Sequence, residues 1–286
     1  MRTPIANKTH YASGMISLDK QLQEAYEGER GPGTIPLKAD KVNLPVKAII
    51  VPHAPMNLAG ACSAWAYKEL AENNDITTYF IIAQPQFSEE SGTTMETFEM
   101  PFGEVRVDQN IVRELVKKGN IKLNDELHAK ENLIEVQLPF LQHINKNRME
   151  KIKIVPLLLN SDINFGELSV DIKEVLMEQG KEAVFIFVSN LTSYGRNFHF
   201  VPFTEDIIKN IVKIDKSLID AIQKDDEEGF FQVVDETMVP LTGFYAFKLY
   251  FKLITPKKIT LEQNYLSGDV NNDYKNCVSY ASFVVR

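Results

Sequence analysis

The 286-residue sequence has only two cysteines and no long apolar run, and each shortage excludes a class of protein. Cys62 and Cys277 lie far apart, without a CxxC pair or a cysteine–histidine cluster, so we expect neither a disulfide framework nor a zinc site. No apolar run approaches the roughly 20 residues that cross a bilayer, and the first residues lack the apolar segment of a signal peptide. We therefore expect a cytoplasmic protein that does not bind membranes.

Positive charge is also scarce. Lysine and arginine together number 31 against 39 aspartates and glutamates, which gives a net charge of −8 without a long basic run. Because nucleic acids and acidic membranes attract positively charged surfaces, neither is an expected partner. The composition, 44% hydrophobic and 24% charged, is instead that of a globular protein, and the length allows a large core.

Near-continuous apolar runs alternate with amphipathic segments along the chain. Runs of this kind are typical of strands that are covered on both faces, and they occur at Val46–Val51, Thr78–Ala83, Ile152–Leu159 and Ala183–Val188. The amphipathic segments predict helices at 61–72, 109–118 (between an Asp108 cap and Gly119), 131–144 (with a kink at Pro139), 166–180 and 243–254. Residues 259–285 predict two paired strands. We expect a single three-layer α/β/α domain with a central mixed sheet, spanning residues 1–286.

Polar residues follow three of the predicted strands. His53 follows the first strand in VPHAPMNLAG, Gln86 and Phe87 follow the second in AQPQF, and SNLTSYG, which contains Asn190, follows the fourth. Ligands of open α/β sheets bind at the carboxyl ends of strands, so we expect these residues to line one concave pocket. A lone histidine after a strand is as often a structural hydrogen-bonding group as a site residue, and both readings of His53 stay open.

The other histidines are weaker candidates because each lies in a loop or beside a helix end: His10, His128, His143 and His199. We expect His143 to be exposed. Glu131 and Glu135 lie one helical turn apart and are expected to be solvated carboxylates. The sequence contains no HExxH motif, GxSxG elbow or glycine-rich phosphate loop, so no catalytic residue can be named.

Several segments along the chain resemble the motifs of one known family. VPHAPMNLAGACSAWAY resembles PHAGYxYSGxxAAxAY, and ENLIEVQLPFLQ is similar to EHSxEVQLPFLQ, both of which are motifs of the MEMO family. SNLTSYGRNFHFVPF is similar to SSDxSHYG with a following T-P-F element, and FEMPFGEVRVDQ to a TPLG-x-V-x-VD stretch. These pieces run in order over nearly the whole chain. The resemblance implies a fold like that of class III extradiol dioxygenases, which open catechol rings with non-haem iron, and a related metal pocket.

The resemblance also implies which positions would hold the metal. The histidine of PHAG corresponds to His53, the histidine of a GPSH turn falls on Phe87, and the cysteine of a late CG dipeptide falls on Thr242. Only one of these three residues is a metal ligand, and we expect the Phe87 ring to fill the space that an ion would occupy.

The neighbouring positions have lost their charge as well. Asn132 stands where the family has the histidine of EHS, and in SDxSH the aspartate becomes Asn190 and the histidine becomes Ser193. Neutral oxygen donors are poor ligands for iron or copper. We therefore expect neither a metal nor another cofactor, and a cleft lined by His53, Gln86, Phe87, Asn132, Asn190, Ser193, Tyr194 and Thr242.

Three functions are compatible with this sequence. The first is a metal-free family member that binds a small molecule, a peptide or a protein partner in the cleft. The second is an enzyme that uses His53 as a general base, or a non-standard metal site with His128 or Glu135; ring-cleaving dioxygenase activity is not expected. The third is a catalytically silent subunit paired with an intact paralogue. Both a homo- and a hetero-oligomer are compatible with the sequence.

Overall fold

The computed structural model describes residues 1–36, 44–73 and 75–286. Its α-helices are α1 (Met15–Glu27), α2 (Met56–Glu72), α3 (Gln109–Lys118), α4 (Asp125–Lys130), α5 (Leu138–Ile144), α6 (Phe165–Glu178), α7 (Ile207–Gln223), α8 (Glu227–Thr237), α9 (Phe244–Leu253) and α10 (Gly268–Asn271). Its strands are β1 (Ala48–Val51), β2 (Thr78–Ala83), β3 (Gly92–Thr93), β4 (Arg106–Val107), β5 (Lys153–Leu158), β6 (Val184–Val188), β7 (Ser193–Gly195), β8 (Ile259–Leu266) and β9 (Asn276–Val285). Short 3-10 helices occupy Glu135–Gln137, Lys146–Lys151 and Arg196–Phe198.

The strands form a nine-stranded sheet in the order β3-β5-β2-β6-β1-β9-β7, with β4 paired to β5 and β8 to β9. The four long apolar runs became the adjacent parallel strands β5, β2, β6 and β1, whereas β9 pairs antiparallel with β1. The predicted mixed sheet is therefore confirmed. Val51 lies opposite Val188, so β1 and β6 end level with each other and their following loops leave the sheet side by side.

Helices cover the sheet and complete three layers. The helices α1, α2 and α5 pack together, with α2 against β1 and β9, while α6 and α9 pack together, with α9 against β2 and β6. Every residue of β1, β2 and β6 is buried, which is why their sequences are continuously apolar rather than alternating. No helix in the described ranges is both long and apolar enough to cross a membrane.

Local sequence signals predict the ends of some helices correctly and of others wrongly. Asp108 caps α3 by accepting the Ile111 N–H at 3.5 Å, and Gly119 ends it in the left-handed conformation at φ 93°, as predicted. The single kinked helix predicted over 131–144 is wrong, because α4 ends at Lys130 and α5 begins only at Leu138. Pro139 lies in the first turn of α5, where its missing N–H breaks no helical hydrogen bond.

His143 is buried, with 6% of its surface exposed, so the prediction of an exposed side chain is wrong. Its ring stacks on Tyr26 with 5.2 Å between centroids. Tyr26 belongs to α1, which the sequence analysis did not predict, as it did not predict α7 and α8. Burial lowers the pKa of His143 from 6.5 to about 4, with the charge of Lys146 acting in the same direction.

His143→Phe should make the protein less sensitive to acid. The native state keeps the His143 imidazole neutral down to about pH 4, whereas the unfolded chain protonates it near its ordinary pKa of 6.5. The unfolded state therefore binds more protons in this window, and stability falls as the pH decreases through it. Phenylalanine retains the stack on Tyr26 without titrating. Urea unfolding at about pH 7.5 and about pH 4.5 measures the effect: the free energy of unfolding should fall by about 2 kcal/mol less in the variant than in the wild type. Equal decreases would contradict the lowered pKa of His143.

Candidate functional site

The core of the candidate site is a contact between the loops that follow β1 and β6. The Asn190 side chain reaches back to His53, where its Oδ1 accepts the His53 backbone N–H at 2.9 Å. The Asn190 Nδ2 donates to the His53 carbonyl oxygen, also at 2.9 Å. This pair of hydrogen bonds is possible because both residues stand two positions after strands that end level with each other. Asn190 therefore fixes the backbone of His53.

The His53 side chain points to Asn132 in the segment between α4 and α5. Its Nε2 lies 2.9 Å from Asn132 Oδ1; an amide oxygen can only accept, so the imidazole proton is on Nε2. The other ring nitrogen, Nδ1, has no hydrogen-bond partner among the residues that the structure describes. Burial, and to a smaller degree the charge of His10, lowers the pKa of His53 to about 4. The ring is therefore neutral near pH 7, a donor at Nε2 and an acceptor at Nδ1.

Thr242 joins this group because the following glycine packs closely on the end of β6. The Gly243 N–H donates to Ser189 Oγ at 3.1 Å, and a Cβ at this position would come within 2.5 Å of Ser189 Cβ. Only glycine allows this close approach. The close packing of Gly243 on Ser189 places Thr242 Oγ1 at 3.4 Å from Asn190 Nδ2. Four of the sequence-predicted residues thus come together in a chain of contacts: His53, Asn132, Asn190 and Thr242.

His10 also belongs to this site, although the sequence analysis treated it as a weak candidate. Its ring stacks on that of His53, with 5.3 Å between centroids and 29° between planes. Its carbonyl oxygen accepts the N–H of Met56, the first residue of α2, at 2.7 Å. No periodic pattern or motif in the sequence marks His10 as a site residue.

The segment that carries His10 is anchored by Glu135. Glu135 is fully buried and forms an ion pair with Arg2 at 2.6 Å. Its carboxylate also accepts the Tyr11 hydroxyl at 2.6 Å and the backbone N–H groups of Ile5 and Ala6. The expectation of a solvated carboxylate is therefore wrong. One counter-ion and three further donors satisfy the buried charge.

Glu131 is buried too, and it holds the loop after β2. Its Oε1 accepts the Phe87 backbone N–H at 2.7 Å, while its Oε2 has no hydrogen-bond partner in the described part of the chain. Burial raises the pKa of this carboxyl group. The prediction of a solvated carboxylate is wrong here as well, because the loop turns its backbone donors toward Glu131.

The same loop turns the side chains of Gln86 and Phe87 outward. Gln86 is exposed, and 77% of the Phe87 surface is in contact with solvent. The expectation that the Phe87 ring fills an interior space, as an aromatic wall of the cleft, is therefore wrong. The residue that points inward from this loop is Gln84, whose Oε1 accepts the Tyr245 backbone N–H at 3.2 Å.

Ser193 and Tyr194 take part in strand pairing. They belong to β7, where Ser193 lies opposite Val278 of β9. The Tyr194 hydroxyl donates to the Phe203 carbonyl oxygen at 2.6 Å, and its ring stacks on Phe203. Within the described ranges no hydrogen bond joins either residue to His53, so the structure does not bring them into the group around that histidine.

The residues around His53 include few of the ligand types that transition-metal ions prefer. The site offers the imidazoles of His53 and His10 with neutral amide and hydroxyl oxygens, whereas such ions prefer three or more imidazole, carboxylate or thiolate ligands. The alternative ligands are already engaged, since His128 Nε2 bonds to the Gly92 carbonyl oxygen and Glu135 to Arg2. Over residues 1–36, 44–73 and 75–286, no three side chains of His, Cys, Asp or Glu form a group that could hold a metal.

Comparison with known proteins places this chain among relatives of the same length. A family model described as Memo-like protein matches residues 2–284. A MEMO1 family protein from Methanopyrus kandleri is 29% identical over 299 residues, covering 100% of this chain and 99% of the relative. One from Methanococcus maripaludis is 28% identical with the same coverage, and one from Thermoplasma volcanium is 30% identical over 82% of this chain and 84% of its own. Since the family model spans nearly the whole sequence, this chain belongs to the family of Memo-like proteins.

Proposed function

We propose that the group of residues around His53 binds a neutral, hydrogen-bonding small molecule and holds no resident metal ion. The observation that carries this proposal is the state of the imidazole. Its Nε2 is engaged by Asn132, its backbone is fixed by Asn190, and its Nδ1 lone pair has no partner in the described part of the protein. A rigid acceptor of this kind recognises a ligand N–H or O–H group without a change of charge.

The surrounding groups favour a neutral ligand over a charged one. Asn132 and Thr242 are half-buried, and each offers a neutral polar side chain. Glu131, next to Asn132 in the chain, is buried with one unpartnered carboxylate oxygen and disfavours a second negative charge nearby. Burying an unpaired ionised group costs several kcal/mol, whereas a neutral amide or hydroxyl can exchange its hydrogen bonds with water for bonds to these residues.

The chemistry of His53 gives less support to a general-base enzyme. A general base works best when its pKa lies near the working pH, and burial holds the pKa of His53 at about 4. The stacked His10 does not supply the missing basicity, because burial lowers its pKa as well. No observation on the described residues favours the silent-subunit role.

Binding of matched fragments tests the proposal. Benzamide and benzoate have nearly the same size, but only benzamide is neutral near pH 7. In ligand-observed NMR, benzamide should show saturable binding and benzoate should bind at least about tenfold more weakly. His53→Ala should abolish the difference, because it removes the Nδ1 acceptor. Stronger binding of benzoate, or benzamide binding that is unchanged in His53→Ala, would refute the proposal.

His53→Ala is a usable variant because the loss of stability should be modest. The side chain makes one hydrogen bond, to Asn132, so unfolding should become easier by about 1–2 kcal/mol. Asn190→Ala is the contrasting variant, since it removes both bonds to the His53 backbone, and should cost about 2–4 kcal/mol. Urea unfolding measures both values. A reversed order would show that His53, rather than Asn190, holds this part of the fold together.

A further inference from the structure

A second cleft lies at the carboxyl end of β5, between the start of α6 and the helices α8 and α9. Its volume is about 640 Å³, within the range of small-molecule sites. Each of the two helices contributes residues spaced by four, which therefore share one helix face: Glu227, Phe231 and Asp235 from α8, and Phe244, Lys248 and Lys252 from α9. The cleft is thus built from two aligned helix faces.

The contacts between these faces show that the two helices run antiparallel. Lys252 pairs with Glu227 at 2.8 Å, and one turn further along, the Lys248 ammonium lies 5.7 Å from the Phe231 ring centroid. The next step of the same pattern places Asp235 toward the Phe244 end of α9. The cleft therefore has a neutralised ion pair at one end and aromatic rings along its floor.

Three aromatic rings surround the Lys248 ammonium, and no carboxylate of the described residues pairs with it. Its Nζ lies 5.0 Å from the Phe244 centroid, 5.7 Å from that of Phe231 and 5.9 Å from that of Tyr245. Cation–π contacts hold an ammonium in place without neutralising its charge. Within the described ranges neither Lys248 nor Asp235 takes part in an ion pair, so the cleft presents one unpaired charge of each sign.

We propose that this cleft binds a free α-amino acid with an aromatic side chain. The carboxylate of such a ligand complements the Lys248 ammonium, and its ammonium group complements Asp235. Its ring packs against Phe231 and Phe244, which are both half-buried and already contact each other with 5.4 Å between centroids. A ligand with one charge would leave either Lys248 or Asp235 without a partner, so the zwitterion fits best.

This site is separate from the one around His53 and does not depend on its proposed function. The two share the loop in which Thr242 contacts Asn190 and Phe244 begins α9, but the cleft is lined from the α6, α8 and α9 side. None of the residues that would bind the amino acid belongs to the group around His53.

L-phenylalanine is the probe, titrated into the full-length protein by calorimetry near pH 7. We expect saturable binding with a Kd of about 1 mM or tighter. Phenylacetate lacks the ammonium group and phenethylamine lacks the carboxylate, so each should bind at least about fivefold more weakly. Equal binding of either analogue would overturn the zwitterion assignment, and no saturable binding of L-phenylalanine up to about 20 mM would overturn the site.

Substitutions of Lys248 and Asp235 test whether these residues bind the two charged groups of the ligand. Lys248→Gln and Asp235→Asn should each weaken L-phenylalanine binding by about tenfold, because each removes one charged hydrogen-bonding partner. Lys209→Gln is the matched control, since Lys209 is exposed on α7, outside the cleft, and binding should not change. Thermal unfolding of every variant checks that it is folded. Unchanged binding in both cleft variants would show that the ligand occupies another place.

Discussion

Glu135→Ala is expected to lower the free energy of unfolding by about 3–5 kcal/mol, the largest effect of any single substitution considered for this protein. The substitution leaves the Arg2 guanidinium buried, at 3% exposure, without its counter-ion. The Tyr11 hydroxyl and the N–H groups of Ile5 and Ala6 lose their acceptor as well. Since domains are stable by about 5–15 kcal/mol, urea unfolding will show this loss as a large shift of the midpoint.

Two further variants separate the charge from the hydrogen bonds. Glu135→Gln retains an acceptor oxygen but not the charge, so its loss of stability should lie between those of the wild type and Glu135→Ala. Arg2→Ala combined with Glu135→Ala removes both charges, and should cost less than the sum of the two single changes. If Glu135→Ala lowers the free energy of unfolding by less than about 1 kcal/mol, water replaces the carboxylate at little cost. The ion pair would then behave like an exposed one, and its burial in the native protein would be contradicted.

Purified wild-type protein should contain no stoichiometric iron, copper or zinc, and even Phe87→His combined with Thr242→Cys should not create a tight zinc site. Together with His53, the double variant has two imidazoles and one thiolate at the positions that the family resemblance assigns to its metal. The loop after β2 turns the side chain of residue 87 outward, however, so its imidazole should not reach an ion bound to His53. A complete protein zinc site binds with about 10–16 kcal/mol, and competition with a chromophoric chelator should show an affinity far below that range.

The single substitutions are the controls. Phe87→His and Thr242→Cys should each bind Zn²⁺ about as weakly as the double variant, and tight binding by the double variant alone would show that the loop can turn residue 87 inward. The exposed position of Phe87 makes the first change safe for folding, because its ring packs little against the interior. About one tightly bound metal per chain in the wild type would refute the metal-free proposal, and His53 would then be the first ligand to test.

The parts of this fold that the sequence predicted share one property: their signal is local or follows directly from sheet geometry. Strands buried on both faces need continuous apolar runs, and the Asp108 cap and the Gly119 stop act within a few residues of their own helix. That His53 and Asn190 meet follows from the parallel pairing of β1 and β6.

The features that the sequence did not reveal depend on partners far away in the chain. The buried pair of Arg2 and Glu135 is separated by 133 residues, and before folding Glu135 looks like any glutamate on a polar helix face. The outward turn of Phe87 is invisible for a related reason. A loop sequence does not show whether its backbone or its side chains face the interior, and here the backbone N–H of Phe87 faces Glu131. His10 was missed because only its stack on His53 distinguishes it.

The position of β9 has a consequence for synthesis on the ribosome. β9 fills the place beside β1, where Phe283 pairs with Ile50 and Val285 with Ala48, and it also pairs with β8. Until residues 276–285 have been made, one edge of β1 has no strand beside it, although β1 itself is translated early. Unpaired apolar edges attract other chains, and pairings between distant segments form slowly. The nascent protein should therefore depend on chaperones until β9 is inserted beside β1.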